Sequence, residues 1–275
     1  MIAIFLFIYV IFGSTVEIYA NGAPSKVRPH SGGNIQPYNE PNIKIKKEIL
    51  KFSGLKNDGW YYKTMDVSVE YIMENTSNKD IELDVVFPYD SPSGEVKNMR
   101  VSFNNSPVSY SKKQSPVYFG TFKVNNSKFL RQDDLRLPDT IIFRINFKPQ
   151  STSTLNVTYT QYGGFDRTEK RIDSFIYYLQ PAKYWADFKD LSIYIDLPQN
   201  YNLNPNMKFD LTSENLLGKT YYLHSDGLPE EDLYFEIYST GPSILNRVAW
   251  VVVFIVLLLI VLKIFLSRRI KSKAA

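Results

Sequence analysis

The chain has 275 residues, contains no cysteine and carries a formal net charge of +4. The positive excess belongs to residues 244–275, which hold six basic and no acidic residues; once these and Glu17 are set aside, 26 basic residues face 27 acidic ones. A nucleic-acid partner is therefore not indicated, because no basic excess covers the rest of the chain. Disulfides are excluded, so the fold must be held by its own core.

An apolar run from Ile2 to Phe12 opens the chain and is followed by small and polar residues up to Ala20. A run of this length that ends in a small residue, with an aliphatic residue two positions earlier, is typical of a cleavable secretory signal. We predict a signal peptide over residues 1–20, with cleavage after Ala20. No Lys or Arg precedes the run, which leaves an uncleaved N-terminal anchor as the alternative.

Residues 21–41 are rich in Gly, Pro, Ser and Asn and show no hydrophobic period. Such a composition is typical of loops. We therefore predict an irregular lead-in to the folded domain.

Alternation of apolar and polar residues begins after the lead-in and predicts β-strands. Residues 67–73 and 81–87 alternate on either side of a polar turn and predict a β-hairpin with one buried face, whose second strand ends at Pro88. Several short strands separated by turn residues, with no amphipathic helix of useful length, favour an antiparallel β-sandwich over residues 42–164. Further strands of this sandwich are predicted at 96–103, 117–124, 141–147 and 155–162.

Gly163-Gly164 and the charged run 166–171 interrupt the pattern and mark the best internal boundary. Residues 165–243 then form either a continuation of the first sandwich or a second one. Residues 180–187 predict a turn or a single helical turn. Strands are predicted at 174–179, 191–197, 220–224 and 233–238.

Residues 248–266 are apolar except for Lys263 and, as an α-helix, span about 28 Å, close to the thickness of a bilayer's hydrocarbon core. We predict a membrane-spanning helix over residues 247–267 and a basic cytoplasmic tail over residues 268–275. One basic residue precedes the span and several follow it, so the positive-inside rule places residues 21–243 outside the cell. The basic residues on the cytoplasmic flank are Lys263, Arg268, Arg269, Lys271 and Lys273.

Short motifs occur at residues 21–24 (Asn-Gly-Ala-Pro), 32–35 (Gly-Gly-Asn-Ile), in the Asn75-centred turn segment that ends in Phe-Pro, and at 175–185. Together they resemble an uncharacterised family of exported, membrane-anchored bacterial proteins whose mature chains start Asn-Gly-Gly-Pro. The resemblance implies a β-rich outer domain of unknown function and supplies no reaction. The turn segment is also similar to strand pairs in inter-alpha-trypsin-inhibitor-type and fibronectin-like adhesion domains.

Residues for a metal or cofactor site are scarce. The two histidines, His30 and His224, are far apart in sequence, and no nucleophile elbow, phosphate-binding loop or zinc-protease motif occurs. The acidic run at residues 230–232 predicts a solvated turn rather than a calcium site, because it lacks the spacing of a ligand loop. We therefore predict no cofactor, no metal and no enzymatic activity.

The aromatic content is high, with 20 Tyr and 18 Phe. In a strand, adjacent residues face opposite sides, so each of the pairs 61–62, 177–178 and 221–222 should expose one ring. Exposed tyrosines suit recognition of carbohydrate or protein, whereas ordinary β-propensity is the alternative explanation. Trp185 either plugs one end of the sandwich or forms an exposed platform. The candidate binding residues are Trp185, Tyr184, Tyr178, Tyr62 and Tyr222.

Two functions are compatible with this sequence. The first is a membrane-anchored, non-enzymatic surface module that binds a cell-wall polymer or a neighbouring membrane protein. The second is a wall-active hydrolase whose carboxylates converge only in the fold, which requires two acids roughly 5 to 9.5 Å apart in a cleft.

Overall fold

The structure, a computed structural model, describes residues 22–27, 35–59, 62–90, 96–113, 138–166, 171–241 and 250–263. These residues are mainly β-structure. A 3-10 helix spans Gln180–Tyr184, and residues 250–263 are α-helical. The strands are β1 Ala23–Val27, β2 Ile35–Pro37, β3 Ile43–Asp58, β4 Tyr62–Asn75, β5 Ile81–Tyr89, β6 Lys97–Phe103, β7 Ser106–Pro107, β8 Tyr110–Lys113, β9 Asp139–Phe147, β10 Ser151–Tyr162, β11 Gly164–Asp166, β12 Ile172–Tyr177, β13 Leu191–Pro198, β14 Tyr201–Pro205, β15 Asp210–Glu214, β16 Gly218–Ser225 and β17 Leu233–Ser239.

The strands form three sheets. The large sheet has eight strands in the order β15-β16-β13-β3-β4-β10-β6-β7. A five-stranded sheet has the order β2-β1-β5-β9-β8, and a four-stranded sheet has the order β11-β12-β17-β14. All pairs are antiparallel except β3 with β13, which run parallel. The fold is therefore a mixed sandwich rather than the purely antiparallel one that we predicted.

Both smaller sheets cover the same face of the large sheet. Phe52, Val67 and Tyr159 lie in one row across β3, β4 and β10. At one end of this row the Phe52 ring lies 4.9 Å from Phe235 in the four-stranded sheet, and at the other Tyr159 lies 6.0 Å from Phe87 in the five-stranded sheet. Side chains from all three sheets thus share one hydrophobic core.

The predicted hairpin of residues 67–73 and 81–87 is wrong, although both segments are strands. β4 pairs with β3 and β10 in the large sheet, whereas β5 pairs with β1 and β9 in the five-stranded sheet. The intervening turn therefore crosses between the two layers. Each strand buries one face against the other layer, and this arrangement produces the same alternation as a hairpin would. Pro88 does not end β5 either, since it pairs with Thr140 inside the strand.

Asn75 holds this crossing turn in place. Its side-chain amide donates to the main-chain carbonyls of Lys79 at 2.8 Å and Lys148 at 3.0 Å, and its carbonyl oxygen accepts from the Ser77 amide at 2.9 Å. The residue is fully buried. One side chain therefore supplies the polar partners that a bent backbone loses when it leaves a sheet.

Residues 42–164 and 165–243 share the large sheet. Leu191 in β13 lies opposite Glu48 in β3, and Ile195 lies opposite Phe52. The second segment also contributes β15 and β16 to this sheet. Strands from both segments therefore lie side by side in one sheet.

The segment 21–41, predicted to be irregular, instead contains β1 and β2. β1 pairs with β5, and its residue Ala23 lies opposite Val86. Pairing with β5 therefore holds β1 in the sheet, although its sequence shows no hydrophobic period. The strand predicted at 117–124 and the signal peptide at 1–20 lie outside the described residues.

The C-terminal helix is described over residues 250–263, which is part of the predicted span 247–267. The large apolar side chains of this helix are exposed, and so is Lys263. Within the part of the chain that the structure describes, no helix combines the length and apolar character needed to cross a membrane. The remaining residues of the predicted cytoplasmic flank, Arg268, Arg269, Lys271 and Lys273, lie outside the described ranges.

Candidate functional site

Two of the five candidate binding residues are buried, and the prediction that they form a surface is wrong. Trp185 retains 5% of its exposure, and its indole N–H donates to the main-chain carbonyl of Gly22. Tyr178 is buried too. Of the two alternatives for Trp185, the structure therefore favours the core plug.

The expectation that one ring of the 177–178 pair is exposed is wrong as well. β12 ends at Tyr177, so the two-residue alternation no longer applies to Tyr178. The Tyr177 hydroxyl lies 2.9 Å from that of Tyr71 and donates to the Glu48 carboxylate at 3.0 Å. Burial, and then the nearby carboxylate, raises the pKa of both tyrosines well above the usual value.

The other three candidates do not converge on one site. Tyr184, half-buried, ends the 3-10 helix near Trp185, and the Lys183 ammonium lies 5.7 Å from its ring centroid. Tyr222 is half-buried in β16, with its ring 4.9 Å from that of Tyr194 in the neighbouring strand. Tyr62 lies in a cluster of three rings, of which Tyr62 and Phe165 are partly exposed and Tyr162 is buried.

This cluster lies at the end of the sandwich from which the chain continues toward helix 250–263, which we call the exit end. β4 begins there, with Tyr62 opposite Asp58. β10 ends there two residues away, because Tyr162 pairs with Thr64. β13 runs parallel to β3 and therefore ends at the same side with Pro198.

The last described residues before the helix also lie at the exit end. Asn200, in the turn after β13, donates from its side-chain amide to the carbonyl of Gly241 at 2.8 Å. The amide of Thr240 in turn donates to the carbonyl of Asn200 at 2.8 Å. The folded domain thus ends on the same side as the Tyr62 ring.

Three rings form the aromatic cluster: Tyr62, Tyr162 and Phe165. Tyr62 packs edge-to-face against Tyr162 with centroids 5.7 Å apart, and against Phe165 at 5.6 Å. Phe165 retains 40% of its exposure, which is high for a phenylalanine. The sequence identified Tyr62 but missed the other two rings, which β10 and β11 bring beside it.

A charged pair borders the aromatic cluster. Asp58 accepts hydrogen bonds from the Lys97 ammonium at 2.7 Å and from the Tyr162 hydroxyl. The ammonium lies 5.2 Å from the centroid of the Tyr162 ring. The bond from Lys97 lowers the pKa of Asp58, and the bond to Asp58 raises the pKa of Lys97. Flat rings beside fixed donors and acceptors suit the binding of a sugar or of a protein side chain.

A second group of unusual residues is buried near the 3-10 helix. Burial raises the pKa of Asp232 to about 7, against two hydrogen bonds that lower it. These bonds come from the amides of Leu179 at 2.7 Å and Gln180 at 3.0 Å, so the carboxylate caps the 3-10 helix. The solvated turn predicted at residues 230–232 is therefore wrong at its last position, which the chain buries to satisfy the amides.

Two further aspartates, together with Asp232, affect the pKa of a buried tyrosine. Asp90, Asp139 and Asp232 all raise the pKa of the buried Tyr178, after the larger effect of burial. Burial also raises the pKa of Asp139. Among the described residues, no group of three His, Asp or Glu side chains is arranged to hold a metal ion.

Comparison with known proteins identifies a fold and no family. No family model matches the chain, and no curated protein matches it. The structure of a provisionally named nutrient binding protein from Legionella pneumophila superposes with a TM-score of 0.59 at 16% identity, covering 80% of this chain and 70% of that one. An M1 zinc metallopeptidase of Deinococcus radiodurans gives a TM-score of 0.39 at 8% identity, covering 74% of this chain and 44% of that one. The chain therefore shares its β-rich fold with the Legionella protein.

Proposed function

We propose that this protein is a membrane-anchored, non-enzymatic extracellular module that binds a cell-wall polymer or a membrane-protein partner through the aromatic cluster. The observation that carries the proposal is the partly exposed Phe165 ring packed against Tyr62 beside the Asp58–Lys97 pair. Burying such a ring on binding releases water from apolar surface, and the charged pair gives direction to polar contacts. The name of the Legionella protein agrees with a binding role.

The proposed anchor is the apolar run 248–266, of which the helix 250–263 is the described part. Exposed apolar side chains from Trp250 to Leu262 suit a lipid environment better than water. Protease added to intact protoplasts is expected to remove the domain of residues 21–243 and to spare the tail. A protected domain would contradict the proposed topology.

The binding role is tested by co-sedimentation of the full chain, in detergent, with purified cell walls. Phe165→Ala is expected to weaken binding about 3- to 10-fold, the equivalent of roughly 0.5–1.5 kcal/mol for one aromatic contact. Tyr110→Ala is the matched control, because Tyr110 is also partly exposed but lies outside the aromatic cluster, on β8.

A membrane-protein partner is tested at the same position. A photo-crosslinking amino acid at position 165, in intact cells, is expected to form a discrete adduct that the same group at position 110 does not form. Equal behaviour of the two positions in both the sedimentation and the crosslinking assays would refute a binding role for the aromatic cluster.

The alternative, a wall-active hydrolase, is favoured by the raised pKa values of Asp139 and Asp232 near Tyr178. A carboxylic acid that stays protonated near neutral pH suits a general acid. Asp232, however, is only 1% exposed, and one of its oxygens is occupied by two main-chain amides. Hydrolysis of wall polymer that is abolished by both Asp139→Asn and Asp232→Asn would establish this alternative in place of the binding module.

A further inference from the structure

Two of the most exposed large apolar side chains outside helix 250–263 lie on one turn. In the described part of the chain, Leu216 retains 71% and Leu217 retains 79% of their exposure, and Leu211 on the adjoining strand β15 retains 48%. These residues belong to the hairpin of β15 and β16, at the edge of the large sheet. We call Leu216 and Leu217 the leucine tip.

The turn that carries the leucine tip has a fixed conformation. The side-chain oxygen of Asn215 accepts from the amides of Leu217 at 2.8 Å and Gly218 at 3.2 Å. The Asn215 amide donates to the carbonyl of Gly218 at 2.9 Å. These three hydrogen bonds fix the turn, and both leucine side chains are exposed to solvent.

The leucine tip lies at the exit end. Gly218, the residue after it, pairs with Pro198 at the end of β13. Lys219 reaches from the same strand to Asn202 in β14, with a side-chain hydrogen bond of 2.9 Å. The tip therefore projects on the side where Asn200 holds Gly241, the last residue described before the helix.

Few residues separate this end from the helix. Gly241 and Trp250 are nine peptide units apart, which spans at most about 31 Å when fully extended. The start of the helix therefore lies within about 31 Å of Gly241 at the exit end. The helix exposes apolar side chains from Trp250 to Leu262 on all of its faces, a distribution that matches hydrocarbon rather than one protein groove.

We infer that the leucine tip inserts into the interfacial layer of the bilayer that holds the C-terminal helix. Two adjacent leucines on a rigid turn can move from water to the acyl-chain boundary, and the amides of Asn215, Leu217 and Gly218 already have partners within the turn. With the helix, the tip gives the domain two attachments to the bilayer and so fixes its tilt. The inference rests on the membrane anchor of the proposed function.

The test uses the full chain in lipid nanodiscs. Because the protein has no cysteine, a single environment-sensitive fluorophore can be placed by Leu217→Cys. Matched labels at Asn78→Cys, in the turn at the other end of the sandwich, and at Val256→Cys, in the helix, report water and bilayer. Emission is recorded in discs without quencher and in discs whose lipids carry a spin-label quencher at either a shallow or a deep acyl position.

The expected result is a blue-shifted emission at position 217 that the spin-labelled lipid quenches, while position 78 stays water-like. Quenching at 256 without quenching at 217 would overturn the inference and leave the anchor intact. No quenching at 256 would overturn the anchor itself, and the inference with it. A blue shift at 217 that lipids do not quench, and that disappears when empty discs dilute the protein, would assign the tip to a second copy of the chain and refute the lipid contact.

Discussion

Replacement of Trp185 by alanine tests whether this residue closes the end of the sandwich. Because the residue is only 5% exposed, the substitution removes on the order of 200 Å² of buried side-chain surface and leaves a cavity. Truncations of this kind cost about 3 to 5 kcal/mol of folding free energy. The Gly22 carbonyl also loses its indole donor, which adds about 1 to 3 kcal/mol if no water replaces it. We expect Trp185→Ala to lower the free energy of unfolding by at least about 4 kcal/mol.

The assay is urea unfolding of the full chain in non-ionic detergent, followed by near-ultraviolet circular dichroism. Trp185→Phe is the matched variant, because it keeps a ring and loses only the donor and part of the volume, and it should cost about 1 to 3 kcal/mol. The midpoint should shift while the slope remains constant. An unchanged midpoint and slope in Trp185→Ala would refute the core role and make this turn a binding surface.

The remaining predictions concern two buried polar residues. In the folded state the pKa of Asp232 is raised from the ordinary 3.8 to about 7. Between about pH 4 and pH 7 the folded protein therefore keeps a proton on Asp232 that the unfolded chain releases, so the free energy of unfolding falls as the pH rises through this range. We expect the variant Asp232→Asn to lack this decline, which amounts to up to about 4 kcal/mol, when urea midpoints of variant and wild type are compared at about pH 4 and pH 7. Equal changes with pH in the two proteins would contradict this prediction. Asn75→Ala removes three side-chain hydrogen bonds at the layer crossing and should cost about 2 to 4 kcal/mol, against about 0.5 kcal/mol or less for the exposed Asn78→Ala.

Strand positions could be predicted wherever one face is buried without interruption. Burial alternates in β9 from Ile141 onward and in β13 from Ile193 onward, and the predicted segments 141–147 and 191–197 lie within these strands. β3 was missed because a bulge between Ile45 and Lys47 shifts its inward set from odd to even positions, and because the buried Glu48 occupies an inward position. The apolar residues of β3 therefore show no single two-residue period along the whole strand.

Pairing partners could not be predicted, because alternation records burial and not the neighbour that causes it. The same limit applies to the site. Tyr62 was identified from a tyrosine pair, but Phe165 becomes its neighbour only because β11 lies beside it in space. The burial of Trp185 and Tyr178 likewise depends on distant parts of the chain, such as the Gly22 carbonyl that accepts the indole N–H.

The parallel pair of β3 and β13 constrains the order in which the chain folds. Its register joins Glu48 to Leu191, so the centre of the large sheet stays open until more than two thirds of the sequence is available. Until then β3 presents an unpaired edge, the kind of edge that invites pairing with other chains. Closing so large a loop is slow compared with forming local turns, which places this topology among slow-folding domains. During synthesis from the N-terminus, the edge of β3 therefore needs protection until β13 is available. We expect the yield of folded protein to depend on this protection more than on the stability of the finished sandwich.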